Sequence, residues 1–117
     1  MKLLYLLTSC FILITSSVSA QSSFPLTQPG LYKHITTSTT TLVKTGVGVL
    51  KAVCINTKGA SSNTATVYDG VDNTGSVIAV LDTTVTFGCQ NYNVGVTTGI
   101  TVVTATGTAG DLTVSFQ

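Results

Sequence analysis

From Leu31 onward, apolar and small polar residues exchange places every second position in short runs, and nearly every run ends at Asp, Asn or Gly. A period of two marks a strand with one face turned toward a core. Leu31 to Thr36, Thr40 to Lys44, Thr64 to Tyr68 and Val77 to Leu81 read as strands, as do Val85-Thr86-Phe87, Tyr92 to Val96, Ile100 to Thr104 and Leu112 to Phe116. Val47 to Asn56 is the longest apolar stretch, and Asn56-Thr57-Lys58-Gly59 closes it as a turn. Asp69-Gly70 and Asp72-Asn73-Thr74-Gly75 read as further turns, because Asp and Asn bond their own backbone and Gly accepts a positive φ. No stretch sustains a 3.6-residue period. Many short strands without helices predict an all-β fold, a small antiparallel β-sandwich that is either jelly-roll-like or immunoglobulin-like.

The first thirty residues follow other rules. Met1-Lys2 is a short basic start, Leu3 to Ile14 is a mostly apolar run, and Val18-Ser19-Ala20 offers small residues. That order is the pattern of a secretory signal peptide cleaved after Ala20. A membrane-spanning helix needs about 20 apolar residues, more than this run holds, so an uncleaved anchor is the weaker reading. Leu7-Thr8-Ser9-Cys10 has the form of a lipobox, but the apolar stretch ahead of it is too short for a signal core. Residues 21–30 carry both prolines among Ser and Gln and read as an extended linker. The expected organisation is therefore a signal peptide over 1–20, a linker over 21–30 and a sandwich domain over 31–117.

Composition narrows the class. His34 to Gln117 contains 20 Thr and 14 Val, and the whole chain has no Glu, Arg or Trp. Beyond the signal, Lys33, Lys44, Lys51 and Lys58 balance Asp69, Asp72, Asp82 and Asp111. With no basic stripe, phosphates would go unneutralised, so nucleic-acid binding is not expected. Nor is there a cationic patch for an anionic membrane once the signal is gone. Thr suits the outer face of strands, leaving Val, Ile, Leu, Ala and a few aromatics to fill a thin core. Such a domain is expected to draw further stability from a disulfide or from oligomerisation.

Cys10 leaves with the signal, so Cys54 and Cys89 remain. In an exported small domain they are a disulfide candidate worth about 3–4 kcal/mol; the alternative is two separate buried thiols.

Groups able to do chemistry are sparse. His34 is the only histidine, and no Gly-x-Ser-x-Gly elbow marks a nucleophile for it, so it reads as an ordinary strand residue. Asp69, Asp72 and Asn73 share one loop but lack calcium-loop spacing and its closing Glu, which leaves them to turn chemistry. Asp82 and Asp111 have no sequence relation that would pair them as acid and base. No phosphate loop or dinucleotide fingerprint is present. No catalytic, metal or cofactor site is expected. Tyr32, Tyr68 and Tyr92, with Phe87 and Phe116, are candidates for core, subunit interface or glycan stacking, the three tyrosines being the ones considered for binding.

The runs "LYKHITTSTTTLVKTGVGVLKAVCINTKG", "TATVYDG", "IAVLDTT" and "TTGITVVTATGTAGDLTVSF" resemble small structural proteins of tailed bacteriophages, head- or tail-associated virion components. The resemblance covers Leu31 to Gln117 and implies a β-sandwich with no active-site residues. Such virion proteins assemble in the cytoplasm, whereas the N-terminus and the cysteine pair here read as features of an exported protein. The expected function is a non-enzymatic structural or assembly module, a virion or extracellular surface subunit that packs on itself or on a shell protein. The alternative is a secreted module that recognises a glycan or cell-surface partner through Tyr-bearing loops.

Overall fold

A computed structural model describes residues 30–85, 88–105 and 107–117. The signal and linker readings for 1–29, including Cys10, and the strand reading at Thr86 and Phe87 lie outside the described residues. Within them the chain forms eight strands: β1 Leu31–Ile35, β2 Thr40–Thr45, β3 Gly48–Thr57, β4 Thr64–Asp69, β5 Ser76–Asp82, β6 Gly88–Val96, β7 Gly99–Thr104 and β8 Asp111–Phe116. Among the described residues there is no helix long and apolar enough to cross a membrane.

The strands pair antiparallel in a nested series: β4 with β5, β3 with β6, β2 with β7 and β1 with β8. The chain is thus one long ribbon folded back at the β4–β5 turn, with alternate rungs assigned to opposite layers. Two further pairings, β3 with β8 and β4 with β7, close the layers into sheet A (β1-β8-β3-β6) and sheet B (β2-β7-β4-β5). A rolled ribbon of eight strands in two such sheets is the jelly-roll arrangement. The sandwich expectation is met, and the jelly-roll alternative is the one realised.

The core lies between the sheets. Val53, Ile55, Leu112 and Val114 enter from sheet A, and Val67, Leu81, Ile100 and Val102 from sheet B, all nearly or fully buried. Each such side chain contributes about 1.5–3 kcal/mol by leaving water. Of the aromatics weighed for a role, Phe116 belongs to this core.

Bulges set which residues face it. On β3 the inward positions step from Leu50 to Val53, three residues rather than two. The register against β8 shifts between Leu50 and Ala52, so Lys51 is an extra residue in β3. Strict alternation from Leu50 would have turned Val53 and Ile55 to solvent and Cys54 to the core; the extra residue reverses that. The facing shift in β6 is absorbed near Asn93, which sits in the left-handed region at φ 50°. Asn tolerates that conformation better than most residues with a side chain.

Three details differ from the sequence reading. β6 begins at Gly88, not Tyr92, because pairing with β3 carries the weakly apolar Gly88 to Asn91 into the sheet. β3 runs on through Thr57, past the start of the expected turn. Thr is also not confined to exposed positions: Thr83, Thr101 and Thr104 are buried. Their hydroxyls donate to the carbonyls of Asn63 (2.9 Å), Gly70 (2.8 Å) and Thr37 (2.8 Å), which satisfies them out of reach of water.

Candidate functional site

Cys54 and Cys89 stand directly opposite one another on β3 and β6 and are bonded, with Cα atoms 3.9 Å apart and a sequence separation of 35. The parity change at Lys51 puts this bridge on the outer face of sheet A. It ties the edge strand β6 to the sheet interior. The alternative of two separate buried thiols is not what forms.

Register places His34, Thr113, Cys54 and Cys89 in one row across the four strands of that face. At the row's end Nε2 of His34 lies 2.6 Å from Oδ1 of Asp111. The Asn56 amide donates to the same oxygen at 2.8 Å and to Oγ1 of Thr113 at 2.9 Å. These contacts, Asn56 first and then His34, hold the Asp111 carboxyl below its ordinary value. An ionised carboxylate only accepts, so the proton of the short contact resides on His34 Nε2. The group fastens β1, β3 and β8 together on a solvated surface.

A second polar clasp lies at one end of sheet B. Asp69, the last residue of β4, accepts from the backbone of Thr97 (3.0 Å), Thr98 (2.9 Å) and Gly99 (3.3 Å) and from the Thr97 hydroxyl (3.0 Å). These donors, the Thr97 and Thr98 amides above all, lower its pKa to about 2 from an ordinary 3.8. Asp69 thereby fixes the β6–β7 turn to the end of β4. Asp72 and Asp82 each accept from both the amide and the hydroxyl of a Thr two residues on, Thr74 and Thr84. Both carboxyls are lowered by those bonds, the hydroxyl first. The loop acids considered for calcium are thus occupied by their own chain, and Asp82 and Asp111 sit in separate clasps.

Every aspartate is therefore more acidic folded than unfolded. A depressed carboxyl stabilises the fold above its unfolded pKa and loses that contribution as pH falls through its folded one. The melting temperature is expected to hold down to about pH 4 and then to fall toward about pH 2, where Asp69 takes up its proton. Asp69→Asn should melt lower at neutral pH and show a shallower acid decline. Thermal melts from pH 7 to pH 2 measure both; an unchanged slope would mean that the clasp does not stabilise the fold.

The three tyrosines are not brought together, and all three lie in strands rather than loops. Tyr32 is on the edge strand β1 and is 73% exposed. Tyr92, on the opposite edge of sheet A, is half-buried against the core, and burial raises its phenol pKa. Tyr68 is half-buried on the outer face of sheet B.

That outer face carries the feature which sequence reasoning missed. Register sets Leu42, Thr101, Tyr68 and Val77 in one row, and Thr40, Val103, Thr66 and Val80 in the next. Leu42 is 45% exposed, Val77 57% and Val80 63%. The apolar residues were visible along each strand. The adjacency of their outward apolar residues was not, since it depends on which strands are neighbours.

Comparison with known protein families, curated proteins and solved structures finds no match for the chain.

Proposed function

We propose that the protein is a non-enzymatic structural subunit of a virion or other extracellular surface, working by packing against copies of itself or a shell protein. The observation that carries this reading is the outer face of sheet B, where Leu42, Val77 and Val80 stay exposed on the same face as the half-buried Tyr68. Exposed apolar groups that share one face are a mark of interaction surfaces. The balanced charge and the Thr-rich strands support it, since little long-range repulsion opposes close approach of copies. The bridge between Cys54 and Cys89 is compatible with an oxidising compartment. Together with the signal-like residues 1–20, it supports export before assembly.

Two measurements on the natively produced protein test this. Intact mass should show loss of residues 1–20 and of the two thiol protons, and sedimentation should show defined oligomers or capture by capsid shells. A full-length mass with free thiols would defeat the export reading. A second reading rests on Tyr32, whose exposed ring shares the outer face of sheet A with the His34–Asp111–Asn56 group, a combination suited to stacking and hydrogen bonding with a sugar. A strict monomer that selects glycans on an array would favour this one and remove the first.

A further inference from the structure

Each sheet ends in two edge strands, and an edge offers backbone donors and acceptors that another chain can pair. β1 is five residues long and carries Lys33, and β2 carries Lys44; short length and lysine are both features that discourage pairing. β6 is interrupted by Asn93 in the left-handed region and presents mainly Gly, Gln and Asn. β5 differs. Its sequence Ser-Val-Ile-Ala-Val-Leu-Asp holds neither lysine nor proline, and its one charge, Asp82, is its last residue. Its register against β4 is unbroken from Ala79 to Asp82, and among the described residues no strand lies on its other side.

We propose that β5 pairs antiparallel with β5 of a second copy about a two-fold axis at Val80, joining the two B sheets into one eight-stranded sheet. This rests on the packing role proposed above and names its partner. Three observations select a second copy. Antiparallel partners share a face, so an axis at Val80 opposes this 63%-exposed valine to its own copy on the outer surface. The same axis sets Ala79 opposite Leu81, and both of these point inward. The two Asp82 carboxylates then stand roughly 13 Å apart, four residues at strand rise, beyond the screening distance of physiological salt. Self-pairing of β1 about its middle residue would instead set Lys33 against its own copy. The contact is isologous and closes at two copies, leaving the outer face free for a shell.

The test uses the full chain in three single variants, read by sedimentation and by mass spectrometry under non-reducing conditions. Val80→Cys should give a covalent dimer whose digest holds one peptide pair, joined by a disulfide between the two substituted positions. Val77→Cys, whose position opposes Thr83 in this register, should not. Val80→Lys sets two like charges against each other and should raise the dimer dissociation constant about tenfold or more while the melting temperature of the monomer is kept. Assembly that proceeds unchanged in Val80→Lys, with no disulfide coupling in Val80→Cys, overturns the β5 pairing and leaves the packing role standing. A wild-type chain that stays monomeric and binds no shell overturns both.

Discussion

Replacing Cys54 and Cys89 together by alanine is expected to lower the free energy of unfolding by about 3–4 kcal/mol. The bridge closes a loop of 35 residues, and the unfolded chain regains the freedom that this closure removes. For a domain of this size each kcal/mol moves the melting temperature by about 4–8 °C, so a drop of roughly 12–30 °C should follow. Reduction of the wild-type protein should approach the same value, since Cys89 is exposed on an edge strand and open to thiols. The loss should also be local before it is global. Among the described residues β6 pairs with β3 alone, so without the bridge its amides should exchange sooner than those of β8. Denaturant melts with and without reductant, joined to hydrogen exchange, measure both effects. A change below about 1 kcal/mol would show that edge pairing alone secures β6.

Leu112→Ala should cost about 2–5 kcal/mol, the range for emptying a well-enclosed core site. Leu112 is fully buried on β8, with Ile35 opposite it on β1 and Ile55 opposite it on β3. Backbone pairing holds both neighbours, so the space left by the missing methyl groups cannot readily close. Val77→Ala, cut from an exposed position on β5, should change the stability of the monomer by no more than about 0.5 kcal/mol. The contrast between the two in urea titrations is the check. Near-equal effects would contradict the placement of β8 at the centre of its sheet.

Parts of this organisation were legible before any coordinates. Apolar runs bounded by turn residues marked β1, β2, β4, β5, β7 and β8 closely, and alternation is plainest in β4 and β8, where Ala65, Val67, Leu112, Val114 and Phe116 are buried at every second position. Asp72 with Thr74 was legible as a turn, because that bond spans only two residues. The start of β6 was not. Gly88 to Asn91 have little strand tendency of their own and are extended only because β3 lies alongside. The Asp69 clasp was hidden for a related reason: its donors, Thr97 to Gly99, arrive from a different strand pair. The tyrosines illustrate the same limit. Tyr32, Tyr68 and Tyr92 look alike in sequence, yet one is exposed on an edge, one is half-buried on an outer face and one packs against the core.

By itself the sequence determined the strand-and-turn grammar, the absence of helical periodicity, the charge balance and the fact that two cysteines stand in the domain. These are local properties, set by side-chain shape, turn chemistry and counting. Only the tertiary structure decided which strands are neighbours, and that decision rests on contacts between residues far apart in the chain. Nesting the ribbon so that β1 meets β8 and β3 meets β6 brings Cys54 opposite Cys89. One extra residue at Lys51 then turns that bridge outward and Val53 and Ile55 inward. The same nesting gathers Leu42, Tyr68, Val77 and Val80 from three strands onto one outer face. Alternation names two faces for each strand, but burial is a property of the packed pair of sheets, and it alone settles which face is inside.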